Sequence, residues 1–157
     1  MANKVKFTDN SRQAKAAIDE QMKTGLEAGL MIIQAQAKAL APVDSGELRD
    51  SIGYDISQTN NGYLGRIGSP LMHAIYVEYG TGELAKNGAG RKGGWRYKDT
   101  AGKWHFTRGM AAQPFLLPAF RRTKKNVELT IGAKLRKVGG KWWLSFTSCY
   151  TPSLKPF

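Results

Sequence analysis

Ile18, Met22, Leu26, Leu30, Ile33, Ala37 and Leu40 recur at spacings of three and four residues, the interval at which side chains share one face of an α-helix. No proline interrupts the run until Pro42. That residue lacks an amide hydrogen and biases its predecessor away from helical torsions. The pattern predicts a single amphipathic helix over about residues 10–41, capped by Asp9, Asn10 or Ser11 and roughly 48 Å long at 1.5 Å per residue. Gly25 and Gly29 lie four apart on one face of it, and each weakens a helix by up to ~1 kcal/mol relative to alanine. Two readings stay open: they admit a close crossing by another backbone, or they are simply tolerated.

A chain of 157 residues fits one domain with one core. At this size a fold buries roughly two thirds of its unfolded surface and needs no covalent staples. Cys149 is the only cysteine, so no intrachain disulfide can form and a reducing cytoplasm suits the chain. Residues 1–9 read as a flexible arm without the apolar core of a signal peptide. No stretch approaches the ~18 apolar residues of a membrane span, so the expectation is a soluble protein with no membrane partner.

After Pro42, Asp44 and Glu47 have the spacing of a capping box, and a short helical turn is expected before a strand over Ser51–Gln58. Asn60-Asn61-Gly62 signals a turn, and Tyr63–Ser69 returns as the second strand of a hairpin. Leu71–Tyr79 is too short for periodicity to decide, but Pro70 favours one or two helical turns. Residues 80–109 hold eight glycines and seven Lys/Arg against two acids, Glu83 and Asp99. Within them Trp95 and Tyr97, then Trp104 and Phe106, alternate with polar residues and predict a second hairpin. A glycine-rich excursion of this length is usually functional or disordered. Pro114 opens a last helix with Leu116, Phe120, Val127, Ile131 and Leu135 as its buried stripe, Arg121, Arg122, Lys124 and Lys125 off it, and Gly139-Gly140 as its end. The tail at 139–157, with Trp142, Trp143, Leu144, Phe146, Tyr150 and Phe157, is too apolar for an ordinary disordered end. The organisation expected is therefore an arm at 1–9, a single domain at 10–138 with a basic hairpin excursion at 83–110, and an aromatic tail at 139–157.

No pattern of catalytic residues stands out. His73 and His105 are the only histidines and neither has metal-ligand spacing. Phosphate-binding and dinucleotide-binding glycine patterns are missing from the sequence. Cys149 has histidines only far away in sequence, which is weak support for a nucleophile. The expectation is a protein that is not an enzyme and needs no cofactor or metal.

The net charge of +12 is unevenly spread. Residues 1–83 carry 8 Lys/Arg and 10 Asp/Glu, whereas residues 84–157 carry 16 Lys/Arg and 2 Asp/Glu. A basic face of this kind meets phosphate backbones or acidic protein surfaces, or serves only as a solvated surface. Lys86, Lys98 and Lys103 are the candidates to face DNA. Tyr76, Val77 and Phe115 read as core residues. Glu78, a carboxylate between aromatics, calls for a buried hydrogen bond or a subunit contact, because unpaired burial is costly.

Three segments together resemble the tail-component family of long-tailed bacteriophages. They are Ala41-Pro42-Val43-Asp44-Ser45-Gly46-Glu47-Leu48 with Ser51-Ile52, then Tyr76-Val77-Glu78-Tyr79-Gly80-Thr81-Gly82, then Gln113-Pro114-Phe115-Leu116-Leu117-Pro118-Ala119. The aromatic hairpin ahead of Gln113 also resembles that family, and the likeness spans about residues 10–137. The resemblance implies an α+β fold in which long N- and C-terminal helices pack on a small, mostly antiparallel sheet. It implies a virion protein, made in the host cytoplasm, for tail completion or head–tail joining. Its subunits would form a homo-oligomeric ring, expected to be sixfold, between the tail tube or tail terminator protein and the head-completion or connector proteins. Such a ring needs two complementary patches, and the acidic and basic portions could supply them, with Glu78, Arg91, Lys92, Trp95, Arg96, Trp104 and Arg108 as interface candidates. Contact with genomic DNA in the channel is a further expectation. The competing reading is a basic nucleic-acid-binding module whose Trp95, Tyr97, Trp104 and Phe106 stack on bases.

Overall fold

The computed structural model describes residues 9–147 except 61, 87 and 89, and of residues 139–147 it describes the backbone alone. The expectations for the arm before Asp9, for the aromatic side chains of 142–146 and for Cys149 lie outside what is described.

The first helix, α1, runs Ser11–Leu40, close to the predicted bounds. Asp9 Oδ1 accepts from the Ser11 amide at 2.9 Å, and Ala41 leaves the helix in extended geometry, as the residue before a proline should. The last helix, α4, spans Leu116–Thr147 and packs along α1. Gly25 faces Ile131 and Lys134 while Gly29 faces Val127, so the two helices run antiparallel. A Cβ at Gly29 would sit 2.8 Å from Val127 Cγ1. The glycines therefore mark a close helix crossing, the first of the two readings.

Two expectations for α4 are corrected. The helix does not end at Gly139-Gly140 but continues to Thr147. Two glycines cost only about 1 kcal/mol each and stop a helix only where the chain turns left-handed there. The buried stripe is only partly the one predicted: Leu116 and Val127 pack against the core and Ile131 meets Gly25. Phe115, Ala119, Thr123 and Val138 are buried, whereas Phe120 and Leu135 are exposed. Spacing of four along 115, 119, 123 and 127 brings small residues against α1, and that ridge passes beside Phe120.

Between these helices lie the shorter elements. Helix α2, Glu47–Ser51, starts from Gly46 in the left-handed region and buries Leu48. Asp44 does not cap it. The nearest side-chain acceptor to the Glu47 amide is Ser45 Oγ, at 3.4 Å, because the turn at Gly46 places the start of the helix after the predicted cap. Strands β1 (Gly53–Thr59) and β2 (Gly62–Gly68) pair antiparallel with Thr59 opposite Gly62. At Gly65 the hairpin touches Leu26 and Leu30 of α1. Helix α3 is His73–Tyr79, so the ambiguous apolar run is helical. Strands β3 (Trp95–Lys98) and β4 (Trp104–Thr107) form a second antiparallel hairpin. The fold is α+β, with two separate two-stranded sheets among the described residues.

One cluster of buried side chains draws on all four helices and the segments beside them: Ile33, Ala37, Ala41, Leu48, Ile52, Ala74, Phe115 and Ala119. It sits where the end of α1, the start of α4, α2 and α3 converge. Phe115 and Ile52 are its largest fully enclosed side chains.

Candidate functional surfaces

Glu78 projects inward from α3 and is buried. Its Oε2 accepts from the amides of Phe115 (2.7 Å) and Leu116 (3.0 Å), and its Oε1 accepts from Leu117 (3.0 Å). A helix start leaves four amide positions unpaired; the fourth here is Pro118, which has no N–H, so all three available donors meet one carboxylate, where the helix dipole also favours negative charge. Of the two alternatives for Glu78, the buried hydrogen bond holds, and both its oxygens are engaged within the subunit.

The glycine-rich excursion is tethered rather than loose. Thr81 donates to the Met110 carbonyl at 2.9 Å, Glu83 to Arg108 at 2.8 Å and Lys86 to Tyr79 at 2.8 Å. Met110 donates to Thr81 Oγ1 at 2.9 Å, and the Gly93 amide donates to Glu83 Oε1 at 2.9 Å. Gly82 has φ +61°, and a Cβ there would collide with the Arg108 carbonyl and the Trp95 ring. Glycine at 82 thus permits two stretches of backbone to lie against each other, with Trp95 half-buried beside them.

The second hairpin sorts its side chains by register, since directly paired residues share a face. Trp95 pairs with Thr107 and Tyr97 with His105 on one face, and the Tyr97 and His105 rings stack with centroids 5.4 Å apart. On the other face Arg96 pairs with Phe106 and Lys98 with Trp104. There Trp104 is 66% exposed and Phe106 59%, and both cations are exposed. The loop between the strands closes on Asp99, whose Oδ1 accepts from the Lys103 amide at 2.8 Å and whose Oδ2 lies 2.8 Å from His105 Nε2. The His105 ring and then the Lys103 amide hold the Asp99 carboxyl below the usual carboxylate range.

The structure thus brings Arg96, Lys98 and Trp104 together with Phe106, and turns Trp95 to the opposite face. Arg91, Lys92, Lys103 and Arg108 are exposed at other points of the excursion. Lys86 lies apart from them, at the rim of a groove of about 510 Å³ between α3 and the start of α4. Tyr79, Pro114, Leu117 and Pro118 wall this groove, and Arg121 and Arg122 complete its basic rim.

Sequence reasoning missed this second surface. Met72, Ile75, Tyr76 and Tyr79 form an i, i+3, i+4, i+7 stripe on the outside of α3, and they are 47–74% exposed. The expectation that Tyr76 is a core residue is therefore corrected, whereas Val77 and Phe115 do join the core. The available signal was a seven-residue helix apolar on both faces: Ala74 and Val77 fill the inner face, so Tyr76 must point outward. Among the described residues, no cluster of three or more His, Cys, Asp or Glu could hold a metal, and no helix is long and apolar enough to cross a membrane.

Fold and surface together define an α+β protein that presents an apolar helix face, a basic-rimmed groove and a cationic–aromatic sheet face, which are features of recognition and assembly. Residues 6–80 match the family described as "Bacteriophage HK97-gp10, putative tail-component". That stretch, just under half of the chain, is thus similar to a phage tail-component family, and the match supports a structural role in a phage tail, among other virion proteins. The matched span contains the Ala41–Leu48 motif and the second motif as far as Gly80, and ends before Gln113–Ala119. No curated protein and no solved structure matches the chain.

Proposed function

We propose that the protein is a structural subunit of a long-tailed phage, forming a homo-oligomeric ring at the head-proximal end of the tail and catalysing no reaction. The ring, sixfold in this reading, meets the tail tube or terminator protein on one side and head-completion or connector proteins on the other. The subunit is made in the host cytoplasm and ends in the virion. The observation that carries the reading is the outer stripe of α3. Large apolar side chains gathered on one exposed helix face favour an interface, and the stripe lies within the span that matches the tail-component family.

Immunogold labelling of intact virions tests this proposal. Label at the neck is expected, and disruption of the gene should leave tails that do not join heads. Absence of the chain from virions, or turnover of a small molecule by the purified chain, would overturn it.

The outer face of β3–β4 favours a second reading, nucleic-acid contact. Arg96 and Lys98 share an exposed face with Trp104 and Phe106, and in this reading the cations meet phosphates while the rings stack on bases. The basic excursion could line the channel through which the genome passes. Salt titration separates the readings, because binding to phosphates weakens steeply as counterions are added.

A further inference from the structure

We propose that the groove between α3 and α4 is a socket for the Val43–Glu47 corner of a second copy of this chain. The inference rests on the ring reading and specifies the contact by which copies would join. The groove offers an apolar wall of Tyr79, Leu117 and the two prolines beneath Lys86, Arg121 and Arg122. None of these three cations has a carboxylate partner among the described residues. The single acid in the lining is Glu78, and its oxygens are occupied by the amides of α4. The groove therefore presents a net positive charge around an apolar floor.

The corner has the opposite character. Val43 is 60% exposed, just past the end of α1. Asp44 follows it and Glu47 opens α2, both exposed and neither in an ion pair among the described residues, whereas Asp50 is held by Arg49 at 3.0 Å. An exposed apolar side chain with two carboxylates close by in sequence thus complements an apolar slot lined by three cations. Both are rigidly backed, the corner by buried Ala41 and Leu48 and the groove by buried Phe115 and Ala119. Groove against groove would oppose like charges, which disfavours a symmetric contact through this surface. Corner into groove, made once between successive copies, is a head-to-tail contact, and such a contact closes into a ring where the rotation between copies allows it. The basic side of the joint then belongs to the start of α4, and Arg91, Lys92, Arg96 and Arg108 of the excursion are left for other partners.

Charge exchange tests the contact on the full chain. One variant carries Arg121→Glu and Arg122→Glu, the other Asp44→Lys and Glu47→Lys, and all four positions are exposed. Sedimentation equilibrium of the wild type should show self-association. Each variant alone should associate roughly tenfold more weakly or worse, because like charges then meet across the joint. An equimolar mixture should recover association, since each reversed groove faces a reversed corner. Unchanged circular dichroism and melting confirm that both variants fold. The proposal falls if the wild type stays monomeric, if the variants associate as it does, or if mixing restores nothing. Attachment to isolated tails that depends on Arg121 and Arg122 while the wild type stays monomeric would assign the groove to another virion protein, and would also overturn it. Chains that form the ring in virions yet ignore the exchange would defeat this contact alone, whereas absence from virions would defeat the ring reading.

Discussion

Three amide hydrogens at the start of α4 converge on the Glu78 carboxylate, 37 or more residues earlier in the chain. Its removal leaves buried donors unpaired, so Glu78→Ala should lower stability by about 2–3 kcal/mol in urea melts. Glu78→Gln should recover part of this, because one side-chain acceptor remains. At Asp99 the sign follows from a depressed carboxyl. Its contribution is complete above the unfolded value of about 3.9 and disappears as pH falls through the lower folded value. Hydrogen-exchange protection of the Lys103 amide should therefore fade on acidification below about pH 4. Asp99→Asn should weaken that protection at neutral pH as well. The need to pair Glu78 was legible in the sequence, but its partners were not, because nothing local links residue 78 to residues 115–117.

At the scale of elements, the two long helices owe their closeness to particular small residues. A side chain at Gly29 must displace Val127, and Gly29→Leu should cost roughly 1–3 kcal/mol by overpacking. Gly132 lies in the same helix pair with nothing within 4 Å of an added Cβ. Gly132→Ala should therefore stabilise by about 0.5–1 kcal/mol through helix propensity. Thermal melts of the two variants should move in opposite directions. The excursion depends on Gly82, where alanine would meet both a left-handed backbone and the Arg108 carbonyl. Gly82→Ala should loosen the hairpin from the body, read as lost protection of the Thr81 and Glu83 amides, while α1 and α4 persist. Helix α1 and both hairpins were readable from periodicity and turn residues, whereas α3 rested on Pro70 because its run is too short for periodicity to decide. In the stripe of α4 Phe120 was misplaced because hydrophobicity favoured it, whereas packing buried the small residues Ala119 and Thr123.

For the molecule as a whole, the question is which surface meets which partner. If the β3–β4 face binds nucleic acid, an oligonucleotide should quench tryptophan fluorescence, and log affinity should fall linearly with log salt. Trp104→Ala should then cost about 1–3 kcal/mol, the usual worth of one stacked base. Unquenched fluorescence at low salt would return that face to a protein partner. The groove and the α3 stripe are independent of this outcome, since they lie on other elements.

Local chemistry by itself determined the ladder of elements: apolar spacing and Pro42 set α1, Asn60 and Gly62 the first hairpin, and alternating aromatics the second. It also set the charge division between the two portions of the chain, because charge is a property of composition. Only the tertiary structure decided which side of α3 stayed outside, that Glu78 is spent on α4, and that Arg121, Arg122 and Lys86 gather around one apolar groove. Those outcomes arise from contacts between residues tens of positions apart, and burial is settled by which neighbours arrive rather than by the residue itself.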